Sequence, residues 1–153
     1  MRVAGTLLAV IVSLALVVAT APAQYGGEYS SPTPPPRGEA AWRVQARTAA
    51  QHAGFAAAAD AVASVRQHLG HALNCIEGAR GRNFNAQWGH VCQGQGNGIL
   101  VDLRADRNGQ PWLLVAEAAG ELAVAGVRTQ DLAQMKNAAR GVGELMKLIA
   151  ESR

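Results

Sequence analysis

Three of the chain's four histidines and both of its cysteines fall within one stretch, HLGHALNCIEGARGRNFNAQWGHVC, from His68 to Cys92. Imidazole nitrogens are ligands for zinc and copper, and thiolates bind the same ions when they are reduced. Two cysteines in an oxidising compartment pair instead. The expectation is a Cys75–Cys92 disulfide, leaving the imidazoles as the ligating groups. On a helix that turns about 100° per residue, with Leu69 as the core direction, His68 and Cys75 fall roughly 100° and 120° to one side and His71 roughly 160°. The three form a stripe along the flank of the helix. His90 lies two residues from Cys92, so a bridge would carry it toward His71. His68, His71 and His90 are therefore the candidate ligands of a copper or zinc ion. The competing reading gives these histidines ordinary structural roles, with His52 near a helix end, where a protonated ring favours the dipole.

Other chemistry is weaker. No C-x-x-C-H occurs, which excludes covalent c-type haem. Met135 and Met146 could ligate a b-type haem within a bundle, yet both lie on an apolar helical stripe and read as core. Gly94 to Gly98 (GQGNG) is glycine-rich without a preceding strand and reads as a loop rather than a phosphate cradle. Asp102 and Asp106 suit turns better than a calcium loop. No nucleophile stands with a base and no carboxylate pair stands out, so the chain does not read as an enzyme.

The elements that must position these residues begin with an apolar leader. Arg2 precedes Leu7–Ala19, and Ala21-Pro22-Ala23 reads as a cleavage site, so residues 1–23 are expected to be a signal peptide. That implies a periplasmic or secreted protein with no stable membrane insertion after cleavage. Residues 24–39 are rich in proline, glycine and serine and read as a disordered tether. The 153-residue chain carries 14 Lys+Arg against 11 Asp+Glu. These charges are dispersed, and neither their pattern nor export suits nucleic acid.

Residues 40–153 read as one helical domain. Trp42, Ala46, Ala49 and Ala53 share one helical face, and Gly54-Phe55 reads as a stop. A second helix is expected from about Ala57 to Ile76, with Val62, Val65, Leu69, Ala72 or Leu73, and Ile76 as its stripe. Pro111 starts a third helix, Trp112 to Ala125, which Gly126-Val127 ends. Thr129 caps a fourth, whose stripe is Leu132, Met135, Ala139, Val142, Met146 and Ile149. The expected fold is all-α: an up-and-down four-helix bundle of two hairpins, residues 40–77 and 111–151. Between them lies a long glycine-rich loop, residues 78–110, stapled by the disulfide.

The run ARTAAQHAGFAAAADAVASVRQHLGHAL, Ala46 to Leu73, resembles the helical repeats of the small metal-binding protein family. Members are exported bacterial four-helix bundles whose hairpins carry histidines at helical spacing and glycine at the turns. The matching residues are Gln51-His52-Ala53-Gly54, with His68 and His71 on the returning helix. The resemblance implies sequestration or delivery of a transition metal. A second function stays open from a different class: an envelope interaction module whose loop around Trp88 docks a protein partner.

Overall fold

The computed structural model describes residues 38–152. The expected signal peptide, and all of the expected tether except its last two residues, lie outside that range. Five α-helices and two short 3-10 turns make up the described chain: α1 (Ala41–Ala58), α2 (Val62–Glu77), α3 (Ile99–Ala105), α4 (Leu113–Arg128) and α5 (Leu132–Glu151). There is no strand among the described residues, and none of their helices is long and apolar enough to cross a membrane. The four long helices pack in a ring, α1 on α2, α2 on α4, α4 on α5 and α5 back on α1, with α2 and α5 also meeting across it.

The expected stripes form the core. Val65, Leu69, Leu73 and Ile76 of α2 are fully buried, as are Met135, Ala139, Val142, Met146 and Ile149 of α5. Trp42, Ala46, Ala49 and Ala53 of α1 face them, only Trp42 retaining a trace of exposure. Burying each large apolar side chain stabilises the fold by about 1.5–3 kcal/mol. Met135 and Met146 are packing residues of this core.

Several boundaries differ from the sequence expectation. Helix α1 runs through Gly54-Phe55 to Ala58, and α4 runs through Gly126-Val127 to Arg128. A glycine ends a helix by turning left-handed, and neither Gly54 nor Gly126 has a positive φ. Gly126 serves another purpose, since a Cβ there would overlap Leu69 and press on Ala138. Its bare backbone lets α4 sit close to α2 and α5. Thr129 is the C-cap of α4, and the N-cap of α5 is Asp131, whose side chain accepts from the Gln134 amide at 3.0 Å. Thr129 Oγ1 accepts from the Asp131 amide at 3.1 Å, so the two residues build the turn together.

Residues 78–110, expected as loop throughout, contain α3. Its Ile99 and Leu103 are four apart and fully buried, so one face of this short helix belongs to the core. The rest of the segment is pinned at three places. Cys75 and Cys92 are bonded, with Cα atoms 5.3 Å apart. Asn74, the buried neighbour of Cys75, accepts from the Asn85 amide (2.9 Å) and donates to the carbonyls of Asn85 (2.8 Å) and Gly89 (2.6 Å). Buried Gln45 of α1 accepts from the Gly98 amide (2.9 Å) and donates to Asp102 (2.6 Å). Asp102 in turn accepts from the Asn97 amide at 3.0 Å. The backbone reverses tightly at the base of the loop, where Gly78 has φ +72 and a Cβ would run into the Asn97 carbonyl. Only glycine fits there.

Candidate metal centre

The hairpin α1–α2 closes through Ala59–Ala61. Residues equally far from such a turn stand level with each other on the two helices. His52 is six residues in from the end of α1 at Ala58, and His68 is six residues in from the start of α2 at Val62. At 1.5 Å rise per residue both sit about 9 Å from the turn. His71, one turn beyond His68, lies on the same side of α2.

The three rings meet there. Each of His52, His68 and His71 offers a ring nitrogen, and these atoms all lie within 4.8 Å of one another. His52 and His71 approach with ring centroids 4.7 Å apart and with Nδ1 atoms 3.2 Å apart. His68 stands 5.7 Å from His52 and 5.8 Å from His71, centroid to centroid. Phe55 covers one flank, its ring 5.5 Å from both His52 and His68.

On the other flank, Gln67 Nε2 lies 3.1 Å from His71 Nε2 and donates to the Trp88 carbonyl at 2.7 Å. The Trp88 ring lies flat on α2 at Gly70, where a Cβ would overlap it. His68 Nδ1 is buried without a hydrogen-bond partner among the described residues. A buried imidazole nitrogen left unpaired is costly, and a cation is one way to satisfy it.

The electrostatics favour neutral rings. Burial holds the His68 and His71 pKa values below the ordinary 6.5, and His68 adds a repulsive push on His71. His52 falls furthest, to about 4, through burial first and then repulsion from His71 and His68. At neutral pH all three present lone pairs rather than charges, which is the protonation state that metal coordination requires. Two nitrogens on one tetrahedral zinc, each about 2.0–2.1 Å from it, are separated by about 3.3 Å. The His52–His71 spacing is close to that. The donor set is of the kind a borderline divalent ion takes, and the His52–His71 pair has the spacing of two ligands on one ion.

The expected set of His68, His71 and His90 therefore needs revision. His68 and His71 are together, and His52 takes the third place. His90 is elsewhere, its ring against Phe84 at 5.2 Å with Nε2 buried and unpartnered among the described residues. The staple does carry Cys92 to α2, but the backbone turns at Gly89, with φ +83, and the His90 ring packs on Phe84. A stop at Gly54 would place His52 at a helix end. With α1 ending at Ala58, the same residue lies well inside the helix. The missed signal was the symmetry of His52 and His68 about Asp60. His71, roughly 160° from the core direction on the helical wheel, is half-buried because the stapled loop at Gly89 lies against it.

Trp88 is half-buried and packs against the core. In comparisons with known proteins, no family model, no curated protein and no solved structure matches the chain.

Proposed function

We propose that the protein is an exported helical carrier that sequesters or delivers a transition metal, holding zinc(II) or copper(II) on His52, His68 and His71. The observation that carries this reading is the convergence of three neutral imidazoles from two helices within 4.8 Å. An all-nitrogen donor set suits zinc(II) and copper(II) better than copper(I), which favours sulfur. Both cysteines are committed to the disulfide and Met135 and Met146 are buried in the core. A disulfide is compatible with an extracytoplasmic protein, and the likeness of Ala46–Leu73 to the small metal-binding protein family points the same way. Short connectors at Ala59–Ala61 and Thr129–Asp131 support an up-and-down arrangement of the four long helices, with α3 added at one side.

Calorimetric titration of the protein with zinc(II) and copper(II) tests the proposal. One equivalent should bind, and His52→Ala, His68→Ala and His71→Ala should each weaken binding by at least about tenfold. His90→Ala should bind like the wild type. No uptake by the wild type, or undiminished uptake by the three variants, would remove the function.

A further inference from the structure

A neutral imidazole carries one N–H and one lone pair. In His71 both nitrogens have neighbours, Nδ1 facing His52 Nδ1 at 3.2 Å and Nε2 facing Gln67 Nε2 at 3.1 Å. The Trp88 carbonyl decides which of the two holds the proton. A carbonyl can only accept, so the Gln67 atom 2.7 Å from it is the amide nitrogen. That nitrogen has a second hydrogen, and His71 Nε2 receives it through its lone pair. The His71 proton therefore sits on Nδ1 and is donated to His52 Nδ1. In the metal-free protein the one lone pair of His71 is already in use.

An ion bound by His71 must take that lone pair. At Nε2 it displaces the Gln67 hydrogen directly. At Nδ1 the resident proton leaves for water and another is taken up from water at Nε2, where it points at the Gln67 amide nitrogen. Two donors facing each other repel, so the carboxamide turns away. By either route the Gln67–His71 hydrogen bond and a His71–metal bond exclude each other. The same carboxamide ties Trp88 to α2, and the loop backbone lies over this edge of the ring, where a Cβ added at Gly89 would come 3.5 Å from His71 Nε2.

We propose that Gln67 is a competing latch on the histidine site, holding the His71 lone pair and the Trp88 carbonyl together until zinc(II) or copper(II) displaces it, so that metal uptake loosens the Trp88 segment of the stapled loop. This rests on the metal-carrier reading above and adds its regulation. The coupling is reciprocal, so whatever frees Trp88 from Gln67 also favours the ion. The loosening is local, because the disulfide and Asn74 still hold Cys92 and Gly89. Gln67 is exposed on α2, so its replacement leaves the core alone.

The test follows zinc(II) titration of the wild type by nitrogen-15 NMR, with competition calorimetry of wild type and Gln67→Leu. Without metal, His71 should show the Nδ1–H tautomer. At saturation the Gln67 carboxamide signals should move to solvent-exposed values. The Trp88 and Gly89 amides, which donate to the carbonyls of Asn85 and Ala86 at 3.1 and 3.0 Å, should exchange faster. Gln67→Leu has no latch to displace and should bind zinc(II) about two- to tenfold more tightly, the worth of one net hydrogen bond. A Gln67→Leu protein that binds equally or more weakly than a wild type that binds would overturn this inference and leave the carrier reading standing. So would a wild type whose Gln67 signals stay fixed at saturation. A wild type that takes up no ion would remove the carrier reading, and this inference with it.

Discussion

The hairpin α1–α2 and the hairpin α4–α5 are built alike and used differently. Each joins two long helices through a three-residue turn, Ala59–Ala61 in one and Thr129–Asp131 in the other. The second turn has the Asp131 side-chain cap, while α1 and α2 begin without one. The C-terminal hairpin carries no histidine. The N-terminal hairpin carries three half-buried imidazoles on its inner flank, and has the disulfide, Asn74 and a loop tied across it. Polar groups held partly out of water weaken a helix pair. The half that bears the candidate site is thus the half tied down by added connections.

Breaking the staple should have the largest effect. A Cys75→Ser/Cys92→Ser protein should lose about 3 kcal/mol of stability, the chain-entropy value for a ring of this size. Denaturant titration measures the loss. Hydrogen exchange should speed up in residues 78–98 and α2 more than in α5, and uniform acceleration would end the contrast between the halves. Asn74→Ala should follow, because it strands the Asn85 amide and two carbonyls, a cost of about 1–3 kcal/mol. A loss no larger than that of an exposed substitution would mean the disulfide alone orders the loop.

Acid should distinguish the halves next. In the unfolded chain the imidazoles titrate near 6.5, whereas in the folded protein burial lowers all three, His52 to about 4. The unfolded state therefore takes up protons first. Stability is full above pH 6.5 and declines as pH falls from there toward about 4. The urea midpoint should drop between pH 7 and pH 5, and His52→Gln should flatten that slope. A midpoint that rises on acidification would contradict the burial of the rings.

Two substitutions have smaller effects. Asp131→Ala removes the cap of α5 and should cost about 1 kcal/mol by thermal unfolding without altering metal uptake. Gly54→Ala should stabilise by about 0.5–1 kcal/mol, since Gly54 is mid-helix and a Cβ there meets nothing within 4 Å. Destabilisation by that change would mean that α1 ends where the glycine is.

Much of the scaffold was legible because it depends on local periodicity. The stripe from Val65 to Ile76 and the stripe from Met135 to Ile149 follow the helical repeat, and both are buried. The pairing of Cys75 with Cys92 was legible because two cysteines leave one partner each. The short helix α3 was harder to see, as seven residues with two core contacts, Ile99 and Leu103, resemble any apolar run in a loop. The helices run through Gly54 and Gly126 because glycine is compatible with a helix when neighbouring helices supply the stability. A helix end at Gly54 would hold His52 away from His68 and His71.

The site itself shows the division. Residue types and spacing alone determined a helical fold for the described residues, a bonded cysteine pair, and histidines one turn apart on the flank of α2. Only the tertiary structure decided that His52 faces His68 across the hairpin, that His90 turns toward Phe84, and that Gln67 and Trp88 close over His71. Helical periodicity is a property of neighbours along the chain. Which imidazoles share a space depends on where two helices reverse direction and how a loop lies on them, and a shift of a few residues in that reversal changes every partner.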